Sequence, residues 1–372
     1  MDDTPQGNDE NRLGLKAAAG KVQTVLGLIE ADALGITLPH EHLLVDSTFK
    51  FSEPDEPADR PLAYAPVTLE TLGWVKTHLT NNRDNLQLLD EELAIREAMR
   101  FKQAGGGTIV ELTNIGIGRN PVALARISRA TGLHIVMGSS YYIGASHPPE
   151  LASCSVNEIA ESIVQDLVCG VGDTGVRSGI IGEVGCSSPL KPTEKLVLGA
   201  SALAQKRTGL AINIHPGGDD RGILEVVDVL DRAGADLRRT IVSHVVKRAY
   251  SRETLARLAG AGCFLEIDNF GHDTLNALSF IRAEKRQLIN PSDIETIDKV
   301  MELIGAGYLP QILISGDCCF KQNLVAYGGH GYAHLLVNIV PWMKAKGVTE
   351  EQVSELLVGN PRRVLSVVET RT

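Results

Sequence analysis

Short apolar runs alternate with longer segments of helical periodicity eight times along this chain. Most of these runs lack alternating polar positions, which is typical of parallel strands covered by helices on one or both faces. They lie at residues 37–38, 108–112, 134–138, 179–184, 210–215, 240–244, 263–267 and 312–315. The pattern therefore predicts eight parallel strands connected by helices.

The segments between the runs carry signals for helix ends. Asp90 and Asn120 each stand before a segment of helical periodicity, where their side chains can cap free backbone N–H groups. Residues 155–158 and 349–352 are capping boxes, with Ser or Thr three residues before Glu or Gln. Gly132 is expected to end the helix that Asn120 begins.

Eight strand and helix units favour a single (β/α)8 TIM barrel, because each parallel strand needs a right-handed helical crossover. A doubly wound open sheet is the alternative, but its glycine-rich turn follows an early strand, whereas Gly105–Gly107 precedes one. Residues 1–20 are expected to be a disordered tail and residues 21–372 one barrel domain. Long loops at 43–89 and 270–291 are expected to form lids or substrate walls on the C-terminal face.

Composition narrows the class of protein. The chain has 36 Lys and Arg against 46 Asp and Glu, a net charge of −10, which argues against a nucleic-acid or anionic-membrane partner. No apolar run is long enough for a membrane span, and the first twenty residues do not resemble a signal peptide, so a soluble cytoplasmic protein is expected. The six cysteines form no CxxC pair and are expected to be reduced thiols.

The sequence Pro39-His40-Glu41-His42 is the strongest local signal for chemistry. Side chains alternate along a strand, so His40 and His42 can share one metal ion while Glu41 points away. By itself a His-x-His pair is a weak signal, because one arises by chance in a sizeable fraction of chains with ten histidines.

Four further polar residues stand at the C-terminal ends of later predicted strands, the face on which barrel enzymes build their sites. Three of them also have an ordinary structural interpretation. The fourth, Glu183, stands in an apolar run, where burial of its carboxylate would be costly without a cation. His215 could begin a helix, His244 could be a hydrogen-bonded core residue, and Asp317 could cap a helix. Together with the His pair they predict a site for two divalent ions that share a bridging carboxylate. The four are Glu183, His215, His244 and Asp317.

This ordered set resembles the amidohydrolase superfamily and, more closely, the phosphotriesterase family with its phosphotriesterase-related and lactonase branches. The similarity extends over nearly all of the chain from about Lys21. It is carried by Gln23–Gly27, Thr37–His42, Gly118–Arg119, Gly138–Tyr142, Gly182–Gly185, Tyr327–Tyr332 and Asn360–Leu365.

The resemblance implies a role for each residue of the set. His40, His42 and Asp317 would bind the more buried metal ion. His215 and His244 would bind the more exposed ion, and Glu183 would bridge the two. Many relatives use a carboxylated lysine as the bridge, and many have histidine where this chain has Gly316.

The implied activity is that of a binuclear metal-dependent hydrolase, in which a metal-bridging hydroxide attacks a carboxylic ester, lactone or amide, with phosphotriester hydrolysis as a side activity. Asp317 would shuttle the proton. Tyr141 and Tyr142 are candidates for orienting the substrate, and Asp268 and His272 for lining the pocket. Zinc suits the donors, as do cobalt, manganese and iron.

Two other functions stay open from the sequence. One is a small-molecule-binding protein on the same barrel. Such a protein would tolerate the loss of metal-ligating residues, whereas all six are present here. The other is a mononuclear deaminase, against which the bridging Glu183 argues. The expected partner is a small-molecule substrate. A homodimer is common among relatives, but the substrate, the metal and the oligomeric state are not determined by the sequence.

Overall fold

The computed structural model describes residues 18–272 and 291–369. Most of the predicted tail (1–20) and of the predicted loop 270–291 therefore lies outside the described residues. Gly20, near the end of that tail, donates its backbone N–H to the carbonyl of Val367. Within the described ranges, no helix is long and apolar enough to span a bilayer.

Eight parallel strands form one sheet, and each coincides with a predicted apolar run. Two antiparallel pairs lie outside this sheet: β1 (Lys21–Thr24) with β2 (Gly27–Glu30), and β4 (Val45–Asp46) with β5 (Gln87–Leu88). The sheet contains, in spatial order, β3 (Ile36–Glu41), β6 (Gly106–Glu111), β7 (His134–Ser139), β8 (Ile180–Gly185), β9 (Ile212–His215), β10 (Thr240–Val242), β11 (Phe264–Ile267) and β12 (Ile312–Ile314).

The two edge strands of this sheet meet. Just beyond β12, the backbone N–H of Asp317 donates to the carbonyl of His40 in β3 at 3.1 Å, and the hydroxyl oxygen of Ser315 lies 2.9 Å from the same carbonyl oxygen. The sheet thus closes on itself, and the prediction of a (β/α)8 TIM barrel is confirmed.

Helices follow the strands and cover the outside of the barrel. The predicted caps at Asp90, Asn120, Ser155 and Thr349 are present, and Gly132 ends its helix in the left-handed conformation. The covering helices are Glu91–Gln103, Pro121–Thr131, Val156–Val168, Pro192–Thr208, Asp220–Arg232, Arg252–Gly260, Asp293–Gly305, Val340–Ala345, Glu350–Ser354 and Asn360–Leu365, with π-helical turns at Leu335–Ile339 and Glu355–Gly359.

Gly105 joins a helix to β6, and Gly106 and Gly107 begin that strand. A different constraint favours glycine at each of the three positions. Gly105 has φ +101°, a conformation that residues with a side chain rarely adopt. A Cβ at Gly106 would lie 2.3 Å from the ring of Phe101, and one at Gly107 would lie 2.4 Å from the carbonyl of Leu34. The triplet therefore permits close packing below the barrel rather than binding a phosphate.

Apolar side chains fill two separate layers around the strands. Val110 and Val136 belong to an inner cluster, whereas their neighbours Ile109 and Ile135 pack in the larger outer cluster against the helices. Val22 of the β1–β2 hairpin joins the inner cluster and closes the N-terminal end.

The long segment 43–89 has secondary structure of its own. It contains the β4–β5 pair and the helices Arg60–Tyr64 and Leu69–Val75. The side-chain amide of Asn82 donates to two backbone carbonyls of this segment at 2.7 and 2.9 Å. The segment is therefore ordered rather than an irregular loop, and its role as a lid or substrate wall stays a prediction.

Glu41 holds the turn that follows β12. Its carboxylate accepts hydrogen bonds from the Ser315 hydroxyl at 2.8 Å and from the backbone N–H groups of Gly316 and Cys318 at 2.8 and 2.9 Å. Burial raises the pKa of Glu41 to about 7, although these donors favour the ionised form. As predicted, Glu41 points away from the histidine pair, and it positions the turn that carries Asp317.

We expect Glu41→Gln to destabilise the protein by about 1–3 kcal/mol, because the amide nitrogen cannot accept a hydrogen bond from Gly316 or Cys318. Urea unfolding followed by circular dichroism measures this change. Glu30→Gln, which removes an exposed pair with Lys21, is the control and should change stability by no more than about 0.5 kcal/mol. Equal stability of the two variants would show that Glu41 does not hold the turn.

Candidate metal centre

All six predicted metal ligands come together at the C-terminal end of the barrel. They arrive from five different strands or the turns after them, as expected for a barrel site. Each side chain is no more than 17% exposed. They are His40 in β3, His42 just after it, Glu183 in β8, His215 at the end of β9, His244 after β10 and Asp317 after β12.

Three imidazole nitrogens converge on one carboxylate oxygen, Oε1 of Glu183. Nδ1 of His215 lies 2.7 Å away, Nε2 of His244 3.1 Å, and Nε2 of His40 3.3 Å. Donor atoms bound to one ion at about 2.0–2.2 Å are themselves separated by about 3–3.6 Å. The spacing around Glu183 is therefore that of a ligand set for divalent ions.

The remaining two ligands extend this cluster. Nε2 of His42 lies 3.5 Å from Oδ1 of Asp317, and Nε2 of His40 lies 3.8 Å from the same oxygen. Nε2 of His40 is buried and has no hydrogen-bond partner. A buried nitrogen aimed at two carboxylates without a hydrogen bond fits a metal ligand, so the residues suit the divalent ions implied by the sequence.

Four triads of possible metal ligands lie among the described residues, and two of them contain Glu183. One comprises His40, His42 and Glu183, and the other comprises Glu183, His215 and His244. Glu183 is common to both, which is the position that a bridging ligand requires. The arrangement can thus hold two ions close together.

The electrostatics of the cluster favour neutral imidazoles at two positions. Burial lowers the pKa of His42 to about 4 and that of His215 to about 3. A neutral imidazole has the lone pair that a metal ion needs. Burial opposes ionisation of Glu183, but hydrogen bonds from His215 and His244 and the charge of His40 hold its pKa well below its usual range.

Two further carboxylates orient the imidazoles from behind. Oδ1 of Asp268 lies 2.8 Å from Nδ1 of His244, and its Oδ2 accepts the backbone N–H of His244 at 3.0 Å. Oε2 of Glu266 lies 2.9 Å from Nδ1 of His40. Hydrogen bonds at Nδ1 leave Nε2 of both rings directed at Glu183.

Backbone strain is concentrated at the same place. His244 has φ 60° and Asp317 has φ 52°, in the left-handed region that residues with a side chain seldom occupy. Such conformations cost about 1–3 kcal/mol each and cluster at functional sites. Here they turn the side chains inward just beyond β10 and β12.

The structure separates the two predicted tyrosines. Tyr142 lies in the site, with its hydroxyl oxygen 3.2 Å from Nε2 of His215 and 3.2 Å from the ammonium of Lys50. Tyr141 is not brought into the cluster, because its ring packs against His147 with the centroids 6.1 Å apart. Of the two, Tyr142 lies beside the cluster, and its role in substrate binding stays a prediction.

Asp268 and His272 are both buried beneath the ligands. Asp268 contacts His244, and Nε2 of His272 donates to the backbone carbonyl of Asp317 at 2.9 Å. Their observed contacts are with the ligands, so their role in substrate binding stays a prediction.

Several residues at the site were not singled out from the sequence. Thr113, at the end of β6, lies 2.9 Å from Nδ1 of His42. Lys50 lies in the long segment 43–89, and Lys247 and Arg248 follow His244 by three and four residues. For Lys247 and Arg248, closeness in sequence to His244 was the available signal. Lysine and arginine are too common for that closeness to be a specific signal.

Comparison with known proteins identifies the family. The sequence model of the phosphotriesterase family matches residues 20–365. The chain belongs to the phosphotriesterase family. It is 40% identical to an N-acetyltaurine hydrolase of Danio rerio over 349 residues, which are 93% of this chain and 98% of the relative. It is also 40% identical to a phosphotriesterase-related protein of Nematostella vectensis over 351 residues, 94% of this chain and 99% of the relative.

A solved structure supports the same assignment. The resiniferatoxin-binding protein from Rhodobacter sphaeroides superposes with a TM-score of 0.88 at 39% identity, covering 93% of this chain and 95% of that one. The predicted family resemblance is thus confirmed. As a phosphotriesterase-family member with His, Asp and Glu clusters suited to divalent ions, the chain is a metal-dependent hydrolase.

We expect Asp268→Asn to weaken metal binding about 10- to 100-fold, because the amide nitrogen cannot accept from both donors of His244. Competition between the protein and a calibrated chelator for zinc measures the change. Asp298→Asn, at an exposed ion pair with Lys346, is the matched control and should leave zinc affinity unchanged. Unaltered affinity in Asp268→Asn would mean that His244 needs no such support.

Proposed function

We propose that this phosphotriesterase-family protein hydrolyses small N-acyl amides with the help of two divalent ions. The convergence of three imidazole nitrogens on Oε1 of Glu183 is the observation that most strongly supports the proposal. One ion would be held by His40, His42 and Asp317, the other by His215 and His244, and both by Glu183.

The choice of an amide rests on the relatives. Chains from several animals and from Dictyostelium discoideum, 36–40% identical to this one, are N-acetyltaurine hydrolases. Esters, lactones and phosphotriesters would be attacked by the same machinery, so they are the comparison substrates. Glu183 is already an anion at neutral pH and would bridge the ions without the carboxylation that a lysine requires.

When bound, the two ions would lower the pKa of a water molecule and polarise the carbonyl oxygen; zinc suits the donors, as do cobalt, manganese and iron. The protein's own groups would perform the proton transfers. Despite its burial, Asp317 stays ionised, because Lys247 and His40 hold its pKa well below the usual range. Asp317 would accept a proton from the attacking water and deliver it to the amide nitrogen as the C–N bond breaks.

Tyr142 would orient the substrate. Its hydroxyl is directed at His215 on the open side of the cluster. Burial raises the pKa of Tyr142 well above its usual range, so the phenol keeps its proton. It can therefore donate a hydrogen bond to the carbonyl oxygen, where negative charge develops during attack.

A second candidate function is binding without turnover. It is favoured by the structural similarity to the resiniferatoxin-binding protein. Retention of all six ligand residues argues for hydrolysis instead, because a binding protein would not need them. An activity measurement on metal-analysed protein distinguishes the two.

We expect protein purified without chelators to contain about two divalent ions per chain by elemental analysis. Such protein should release amine from N-acetyltaurine faster than it hydrolyses aryl esters, lactones or an aryl dialkyl phosphate. Chelation should abolish the activity, and zinc should restore it. A metal content near zero together with activity that survives chelation would disprove the binuclear mechanism.

We expect Asp317→Asn to reduce kcat by about 10²-fold or more, because the amide retains an oxygen donor but loses the basicity needed for proton transfer. Metal content is measured in parallel, so that a loss of ions is not mistaken for a loss of proton transfer. Asp298→Asn again serves as the control. A variant with both ions and a near-parental kcat would exclude Asp317 as the proton carrier.

A further inference from the structure

Three cationic side chains surround the open side of the metal centre. Lys50 lies in the long segment 43–89 after β3, and Lys247 and Arg248 lie in the turn after β10. Two separate elements thus bring positive charge to one place on a chain whose net charge is −10.

Two of the cations contact predicted ligands, and the third contacts Tyr142. The ammonium of Lys50 lies 3.2 Å from the Tyr142 hydroxyl oxygen. The ammonium of Lys247 lies 3.5 Å from Oδ2 of Asp317, and Nη2 of Arg248 lies 3.5 Å from Nε2 of His215. The three groups therefore lie beside the ligands rather than in bulk solvent.

These cations lack dedicated counter-ions. Among the described residues, neither Lys50 nor Arg248 has a carboxylate within ion-pair distance, and Nε of Arg248 is buried without a hydrogen-bond partner. The carboxylate that Lys247 faces belongs to Asp317, which the proposed function assigns to a metal ion. Burial lowers the pKa of Lys50, although Cys319, Glu183 and Asp317 oppose this effect.

Half-buried cations without a carboxylate of their own are less favourable than cations that an anion joins. Lysine and arginine side chains are the usual partners of carboxylate and sulfonate groups. Lys50 and His215 contact the same Tyr142 hydroxyl, so an anion at Lys50 would be only a short linker away from a carbonyl group at the cluster.

We propose that Lys50, Lys247 and Arg248 form a recognition site for an anionic group of the substrate, a carboxylate or sulfonate joined by a short linker to the amide. The inference rests on the proposed amide hydrolysis and specifies the charge of its substrate. An uncharged amide of the same shape would leave the three cations unpaired and would be a poor substrate.

The test compares three amides of similar size: N-acetyltaurine, N-acetyl-β-alanine and the uncharged N-isopentylacetamide. The metal-loaded protein should show a kcat/KM at least about 10²-fold higher for the two anions than for the uncharged amide. In Lys50→Met this ratio should fall at least tenfold, mainly through KM, and Lys50→Arg should retain most of it. Lys195→Met, on the outer helix Pro192–Thr208, should leave the ratio as it is.

Calorimetric binding of the same compounds keeps this inference distinct from the proposed function. If no amide is hydrolysed, the proposed function fails, but stronger binding of the two anions in the parent than in Lys50→Met still supports the cationic site. Arg248→Gln provides a second variant in case Lys50→Met unfolds. A ratio near one in the parent, or equal binding of charged and uncharged amides, would overturn the inference.

Discussion

The contact of three imidazole nitrogens with Oε1 of Glu183 is the interaction on which the C-terminal face depends. An ionised carboxylate buried in the mouth of a barrel is costly unless positive or hydrogen-bonding groups surround it. The groups that do so come from β3, the end of β9 and the turn after β10, so the closure of the sheet is what brings them together.

A layer of buried carboxylates supports this contact without belonging to it. Glu266 and Asp268 hold the rings of His40 and His244, and Glu41 holds the turn that carries Asp317. Glu41 also packs closely against Gly316: a Cβ there would lie 3.0 Å from a Glu41 oxygen. The glycine thus suits the hydrogen bond that its own N–H donates.

The charge of the site differs from that of the chain as a whole. The net charge of −10 sets the electrostatic potential that a distant molecule experiences. A substrate in the barrel mouth instead lies within a few ångströms of Lys50, Lys247 and Arg248. At such distances local groups dominate, since exposed charges elsewhere are screened beyond about 8–10 Å. An acidic protein can therefore select an anionic substrate.

The sequence by itself determined the barrel and the six candidate ligands. Apolar runs and helix caps are local patterns, and a histidine or carboxylate at a strand end is visible in the printed chain. Only the tertiary structure decided that Tyr142 enters the site while Tyr141 does not, and that Asp268 lies behind His244. It alone also brought Lys50 to the hydroxyl of Tyr142. Those outcomes depend on side-chain direction and on contacts between distant segments, which spacing along a strand or loop does not encode.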